Sequence, residues 1–183
     1  STRDTVIECF DVPCSVIYNG VNTSEFKPVC KKPNIYTSSS RPYFLFVGTF
    51  EQRKRPLDVL SVAELVPEVD FLLRGSGPMS DEVRTRASEI NNVDLITEVI
   101  DKQELIRLYS GAIGFLFPTV REGCPTVVLE AMACETPITG YTATSMPELV
   151  TDGKTGYLTE PGEVESLADH VRILANQKKL AAR

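Results

Sequence analysis

Short apolar runs alternate with helix-like segments along most of the chain. The runs are rich in Val, Ile, Phe and Leu and show little polar alternation, which is typical of strands buried on both faces of a parallel sheet. The predicted strands are residues 15–18, 43–47, 70–74, 93–97, 111–117, 137–140 and 156–158. The predicted helices are residues 56–65, 79–90, 102–109, 125–133, 146–150 and 163–176. This alternation predicts right-handed crossovers and an α/β fold with a Rossmann-like, doubly wound parallel sheet.

Chain length and charge limit the class of protein. The 183 residues, 42% of them hydrophobic, are enough for one domain with a sizeable core, and we predict a single domain over residues 1–183. The net charge of -6 argues against a general nucleic-acid binder. No apolar run reaches the roughly 18 residues of a membrane span, so we predict no transmembrane segment here.

Cysteine and histidine usage argues against a metal site built from Cys and His and against histidine-dependent nucleophilic catalysis. The 5 cysteines lack metal-ligand spacing, and we predict reduced cytosolic thiols. His170 is the only histidine, and we expect it on the solvated face of the last helix. A single histidine leaves no Ser-His-Asp or Cys-His machinery to propose. Residues 31–42, which include prolines and serines, are predicted to form a loop.

Ligands of doubly wound sheets bind at the carboxyl ends of the strands. The loop after the strand at 43–47 contains Gly48, which lets the backbone approach a ligand closely, and then Arg53, Lys54 and Arg55. Three positive charges at a helix entrance indicate either a phosphate clamp or a solvated basic turn.

Two carboxylates flank a predicted helix start after the strand at 111–117. Glu122 precedes Pro125, which is predicted to begin the helix, and Glu130 lies within it. A helix N-terminus offers free amides and partial positive charge to an anion. The carboxylates would repel that anion and instead accept hydrogen bonds from hydroxyl groups. A phosphate that carries sugars offers both kinds of group.

Three further loops have less specific signals. Residues 74–78 (RGSGP) lack a complete dinucleotide or P-loop fingerprint and are read as a tight turn at the rim of a nucleotide pocket. A nucleobase could lie against Val99 and Ile100, although ordinary packing explains these residues equally well. The hydroxyl-rich residues 139–148 could bind polar groups or could cap a helix, with Ser145 as the N-cap.

These motifs, in this order and spacing, resemble the C-terminal, donor-binding domain of a retaining GT-B glycosyltransferase of glycosyltransferase family 4, also called glycosyl transferases group 1. The resemblance covers nearly the whole chain. Its motifs are residues 16–28 (VIYNGVNTSEFKP), 44–54 (FLFVGTFEQRK), 74–78 (RGSGP), 117–133 (FPTVREGCPTVVLEAMA) and 147–156 (PELVTDGKTG).

The resemblance implies roles for individual residues. Glu130 would accept hydrogen bonds from the donor's ribose hydroxyls, and Glu122 would lie near the transferred sugar. Lys54 matches the lysine that neutralises the diphosphate, and Arg53 would assist it. The predicted catalytic residues are thus Glu122, Lys54 and Arg53. The predicted donor-binding residues are Gly48, Thr49, Gly75, Ile100, Gly123, Cys124, Pro125, Thr126, Val127 and Glu130.

The chain departs from the family pattern at a few positions. Thr49 stands where the family often carries arginine, and Arg53 is a candidate replacement. Cys124 and Pro125 replace a Phe-Gly pair beside the sugar, while Glu135 stands in the usual Gly-Thr-Pro motif. These differences leave the shape of the pocket near the sugar open.

The implied activity is hexosyl transfer from a UDP-, GDP- or ADP-sugar to a glycan or lipid-linked acceptor. We expect no cofactor and no metal, because no Asp-x-Asp pair occurs and cationic side chains can take the place of a metal on the diphosphate. We expect an N-terminal acceptor domain to precede Ser1 in the full-length protein, and the isolated domain to be inactive. The expected location is cytoplasmic, with membrane association through the preceding domain where the acceptor is a lipid.

Other functions remain open at this stage. A non-catalytic nucleotide-binding module would keep the fold without turnover. A sugar-nucleotide epimerase can share the architecture, but the chain lacks the histidines expected for its proton chemistry. A phosphorylase dependent on pyridoxal phosphate would need a Schiff-base lysine, which no segment clearly supplies.

Overall fold

A computed structural model describes Cys9, Ser15, residues 17–29, Tyr36 and residues 41–181. The described residues form a six-stranded sheet with the order β3-β2-β1-β4-β5-β6, and all of its neighbouring pairs are parallel. The strands are β1 (Tyr43–Val47), β2 (Asp70–Arg74), β3 (Val93–Ile96), β4 (Gly114–Phe117), β5 (Ile138–Tyr141) and β6 (Gly156–Thr159). The predicted Rossmann-like, doubly wound sheet is therefore confirmed.

Six α-helices connect or follow these strands in the described part of the chain. They are α1 (Pro56–Leu65), α2 (Ser80–Ala87), α3 (Lys102–Gly111), α4 (Thr126–Ala133), α5 (Met146–Leu149) and α6 (Val164–Ala181). A 3-10 turn at Gln52–Lys54 precedes α1 and was not predicted. The bounds of β1, β2 and α1 match the prediction, whereas most other ends shift by a few residues.

Two hydrogen bonds fix which helices cover which face of the sheet. The Tyr43 hydroxyl, on β1, donates to the carbonyl oxygen of Leu108 in α3 at 2.7 Å. The Tyr141 hydroxyl, on β5, donates to Asp58 of α1 at 2.7 Å. Helices α3 and α4 pack against each other on one face, and α1 packs against α2 and α6 on the other. The four inner strands β2, β1, β4 and β5 are almost wholly buried, which explains their near-continuous apolar sequence.

The amino end of the sheet is closed by polar contacts. The buried Asn92 side-chain nitrogen lies 3.0, 3.1 and 2.8 Å from the carbonyl oxygens of Ala63, Val66 and Val69. One amide thereby ties the end of α1 to the start of β2 and β3. Because each of these carbonyls has a partner, the chain reversals at this end leave few polar groups unsatisfied.

Three predictions about element boundaries were wrong. The predicted strand at 15–18 is not one: Ser15, Ile17 and Tyr18 are irregular, and Ile17 is 92% exposed, so its apolar side chain has no sheet to join. Gly111 ends α3 and does not begin β4. Pro125 is the N-cap of α4, with extended backbone, and Thr126 begins the helix. Most of the predicted loop at 31–42 lies outside the described residues.

His170 differs from the expected solvated histidine. Its ring stacks on Tyr157 with centroids 5.0 Å apart, and its Nδ1 atom is buried without a hydrogen-bond partner in the described residues. Of the cysteines, Cys9, Cys124 and Cys134 are described, and all three are free thiols.

Candidate functional site

A cluster of opposite charges joins two loops at the carboxyl edge of the sheet. Lys54, at the end of the 3-10 turn after β1, forms an ion pair with the Glu122 carboxylate. Arg53 binds the same oxygen of Glu122 at 2.9 Å and also pairs with Glu51 at 2.7 Å. The structure therefore brings together Arg53, Lys54 and Glu122, the three residues predicted to be catalytic.

Lys54 is held in a sheltered position. Its side chain is only 11% exposed, and its ammonium group lies 4.9 Å from the centre of the Phe117 ring at the end of β4. A cation over an aromatic face is stabilised by the ring's electron density, more strongly when water is excluded. The charge of Lys54 is thus fixed in direction and little weakened by solvent.

Glu122 is oriented by contacts on more than one side. Its backbone N–H donates to the Thr144 hydroxyl at 3.0 Å. Its side-chain oxygen Oε1 forms ion pairs with Arg53 and Lys54, whereas Oε2 has no partner among the described residues. One carboxylate oxygen therefore holds the two cations and the other remains available to a hydroxyl group of a ligand.

Arg55 does not join its two basic neighbours. It has a left-handed backbone conformation with φ 54°, and its Nε donates to Asp58 at 3.1 Å. Asp58 also accepts from Tyr141, so this pair belongs to the contact between α1 and β5. Of the three charges in the predicted clamp, two converge on Glu122 and the third has a local structural partner.

The start of α4 presents unpaired backbone donors beside the cluster. The N-cap residue Pro125 has no side chain that could cap the helix. Within the described part of the chain, the N–H groups of Gly123, Cys124, Thr126 and Val127 form no hydrogen bond. Together they supply the amides and the positive end of the helix dipole that an anion binds.

Glu130 lies on α4 and is positioned by a buried tyrosine. The Tyr109 hydroxyl, on α3, donates to its Oε2 atom at 3.0 Å. Burial, followed by the negative charge of Glu130, raises the pKa of Tyr109 well above its usual value, so the phenol stays protonated and remains a donor. The second oxygen of Glu130 has no partner among the described residues and can accept a hydrogen bond from a ligand.

Gly48 and Gly75, two of the three glycines predicted to bind the donor, differ from each other in their surroundings. Gly48 follows β1, and its N–H donates to the Arg74 carbonyl oxygen at 3.1 Å. A Cβ atom at Gly75 would lie 2.0 Å from the Gly48 carbonyl oxygen, so Gly75 allows the loops after β1 and β2 to touch. Thr49, which replaces the family's arginine, is exposed beside them.

The loop after β3 contains Val99 and Ile100, the two residues against which a nucleobase was predicted to lie. Val99 is 90% exposed, whereas Ile100 is half-buried and packs against the core. An apolar side chain this exposed offers a surface against which a flat ring can lie.

The segment before the first strand reaches the same edge of the sheet. Asn19 donates from its side-chain nitrogen to the Cys124 carbonyl oxygen at 3.0 Å. The Tyr18 hydroxyl donates to Glu148 of α5 at 2.8 Å. The structure thereby explains why residues of this segment match a family motif although they form no strand.

Sequence reasoning missed some side chains that shape the site. Tyr109 looked like an ordinary core aromatic, and Arg74 was noted only as part of a turn. Thr144 lies in the hydroxyl-rich stretch whose role was left open, and it contacts Glu122 directly. Ser145 occupies the N-cap of α5, as one reading predicted, but its hydroxyl makes no capping hydrogen bond.

The described residues show neither a metal-binding cluster nor a membrane-spanning helix. Among the described residues, no group of three His, Cys, Asp or Glu side chains could hold a metal ion. The described helices also include none with the length and apolar character needed to cross a bilayer.

The sheet order and the polar loops at its carboxyl edge define a Rossmann-like α/β domain of the kind found in one half of a GT-B enzyme. Residues 31–183 match the family described as "Glycosyl transferases group 1". The chain belongs to the glycosyl transferases group 1 family.

Individual relatives agree with this assignment. The chain is 28% identical to the O-antigen chain mannosyltransferase B of Escherichia coli over 93% of its own length and 48% of the relative's. It is 30% identical to the N-acetyl-alpha-D-glucosaminyl L-malate synthase of Bacillus anthracis over 78% of its own length and 38% of the relative's. The chain therefore spans less than half of these curated relatives.

A solved structure shares the fold. The C-terminal domain of a glycosyl transferase group 1 family protein (LpcC) from Francisella tularensis superposes with a TM-score of 0.74 at 22% identity, covering 88% of this chain and 90% of that one. At this identity the similarity establishes the fold alone.

Proposed function

We propose that this chain is the donor-binding domain of a retaining glycosyltransferase that transfers a sugar from a nucleoside diphosphate to an acceptor hydroxyl without a metal ion. One observation carries the proposal. Lys54 and Arg53 of one loop and Glu122 of another meet at the carboxyl edge of the sheet, beside the uncapped start of α4. Cations and free amides suit the diphosphate, and the open carboxylate oxygens suit sugar hydroxyls.

The reaction breaks the bond between the sugar's anomeric carbon and the terminal phosphate oxygen. The acceptor's hydroxyl oxygen forms the new bond to that carbon, the bonding pair of electrons stays on the departing diphosphate, and the hydroxyl proton passes to an oxygen of that diphosphate. Negative charge therefore grows on the leaving group as positive charge grows on the sugar. Donors aimed at the leaving group before the reaction starts lower the barrier, because they need no reorganisation at that moment. Lys54, Arg53 and the amides at the start of α4 supply such donors.

The resemblance to the family supports the finer parts of the proposal. Retention of anomeric configuration follows the family and no residue of this chain specifies it. The oxygen Oε2 of Glu122, which has no partner among the described residues, supports a role for Glu122 in binding the transferred sugar. The acceptor, a glycan or a lipid-linked glycan, would bind mainly to a second domain outside this chain.

Glu130 is expected to determine nucleotide affinity. Glu130→Ala removes a charged acceptor for the ribose hydroxyls and should weaken binding of the nucleoside diphosphate by about 1–3 kcal/mol. Glu130→Gln keeps an acceptor for Tyr109 but loses the charge, so it should give a smaller loss. Isothermal calorimetry measures both affinities.

Glu165→Ala is the matched control, because Glu165 is exposed on α6 and should leave nucleotide affinity unchanged. Equal affinities of Glu130→Ala and the parent chain would remove the ribose role. A different pair of results would indicate a non-catalytic module. In that case the parent chain binds a nucleotide, but the full-length protein neither transfers the sugar nor hydrolyses the donor.

Nucleotide binding is expected to survive removal of divalent cations. The side chains of Lys54 and Arg53 offer the positive charge that Mg²⁺ or Mn²⁺ supplies in metal-dependent enzymes. Calorimetric titration of the nucleoside diphosphate in EDTA and in excess Mg²⁺ should give affinities that agree within about twofold, since no metal would bridge protein and phosphate. An affinity that collapses in EDTA and returns with Mg²⁺ would contradict metal independence.

A further inference from the structure

Arg74, at the carboxyl edge of the sheet, forms no side-chain hydrogen bond or ion pair within the described part of the chain. It is the last residue of β2, and its side chain is partly buried. Its Nε atom is fully buried and has no hydrogen-bond partner, and among the described residues its guanidinium group forms no ion pair. A buried donor left without an acceptor is costly. A ligand that supplies an acceptor to Arg74 would remove this cost.

Strand register places Arg74 on the same face of the sheet as Glu130. Arg74 pairs with Val47 of β1, and Val47 points to the same face as Tyr43, four residues earlier on that strand. Tyr43 contacts α3, and α3 also carries Tyr109, the partner of Glu130. The charge of Arg74 acts on the Tyr109 phenol and opposes the rise of its pKa, in agreement with this placement.

The order of the strands separates Arg74 from the phosphate-binding cations. Lys54 and Arg53 follow β1, on the side of β4. Arg74 ends β2, which lies next to β3 and the loop that exposes Val99. A nucleoside diphosphate with its sugar at Glu122 and its ribose at Glu130 would extend its base toward β2 and β3.

We infer that Arg74 hydrogen-bonds to a ring carbonyl of the nucleobase, so that the donor is a uridine or guanosine diphosphate sugar and not an adenosine one. This inference rests on the proposed function and names its substrate class. An arginine side chain only donates hydrogen bonds. Uracil and guanine present carbonyl oxygens, and arginine commonly binds guanine O6 and N7 together. Adenine presents an amino donor where guanine has its carbonyl, and that donor would face the guanidinium.

The test is a calorimetric titration of the 183-residue chain with UDP, GDP and ADP, repeated on Arg74→Met. The unmodified chain should bind UDP or GDP at least about tenfold more tightly than ADP, because a site built around a hydrogen bond rejects a ligand that cannot form it. Arg74→Met should weaken binding of the preferred nucleotide roughly 10- to 100-fold, because a hydrogen bond from a charged group is lost. Its affinity for ADP should remain within about twofold, since adenine has no ring carbonyl to accept from Arg74.

Arg84→Met is the matched control, because Arg84 lies on the exposed side of α2 and pairs with Asp81; it should bind all three nucleotides like the unmodified chain. The base preference of the unmodified chain does not depend on how well the Arg74→Met variant folds. Preference for ADP, unchanged binding by Arg74→Met, or an equal loss for all three nucleotides would overturn the inference while leaving the proposed function intact. Failure of the unmodified chain to bind any of them would overturn both.

Discussion

Replacing Lys54 by alanine in the full-length enzyme should lower turnover roughly 100- to 1000-fold, which corresponds to about 3–4 kcal/mol of lost transition-state stabilisation. The effect should be large because the ammonium group is sheltered, directed by Glu122 and seated over Phe117. A donor fixed in this way stabilises the charge that develops on the diphosphate more than a solvated lysine could. Steady-state kinetics at saturating donor and acceptor measure the change.

Loss of Lys54 also leaves Glu122 with one cation fewer, so the variant's melting temperature has to be measured with its activity. Lys154→Ala is the matched control, because Lys154 is exposed in the turn before β6, at the opposite edge of the sheet. That variant should retain full activity. A folded Lys54→Ala enzyme with turnover within about threefold of the parent would remove Lys54 from the leaving-group site, since preorganised donors contribute far more than this.

Gly75→Ala should destabilise the fold by about 3 kcal/mol, at the upper end of the range for overpacking. The added Cβ would lie 2.0 Å from the Gly48 carbonyl oxygen and 2.9 Å from the Phe50 ring, so two buried loops would have to separate. For a chain of this length the melting temperature should fall by roughly 6–12 °C. Urea and thermal denaturation followed by circular dichroism measure both quantities.

Gly123→Ala provides a matched comparison within the same candidate site. A Cβ atom at Gly123 would meet nothing within 4 Å, so its stability should change by less than about 0.5 kcal/mol. If Gly75→Ala were as stable as Gly123→Ala, the contact between the loops after β1 and β2 would not be needed for the fold.

The central strands could be predicted from sequence because burial on both faces leaves a nearly continuous apolar run. Tyr43–Val47 and Asp70–Arg74 are such runs, and both were located without error. The same rule failed at Ile17 and Tyr18, which are apolar in sequence but lie exposed at the edge of the site. Composition identifies side chains that can be buried, but it does not show whether the chain provides a neighbour to bury them.

The candidate site was predictable as a set of loops but not as a set of contacts. Sequence order and the family motif identified Lys54 and Glu122, and the fold explains their meeting, because the ends of β1 and β4 lie side by side. Arg53 and Lys54 contact Glu122 but Arg55 does not, because Arg55 has a left-handed backbone conformation. The sequence carries no strong signal for that conformation. Tyr109 and Arg74 gain their importance from strand register and helix packing, which a linear pattern does not reveal.

The side-chain amide of Asn92 and the unpaired backbone N–H groups near Glu122 lie at opposite ends of the sheet. The hydrogen bonds of Asn92 join the connections at the amino end of the sheet without using any residue of the candidate site. A lineage could exchange side chains around this crevice and acquire a new sugar or base while its architecture stays intact. Such a separation is in keeping with relatives whose names differ as much as an O-antigen chain mannosyltransferase and an N-acetyl-alpha-D-glucosaminyl L-malate synthase.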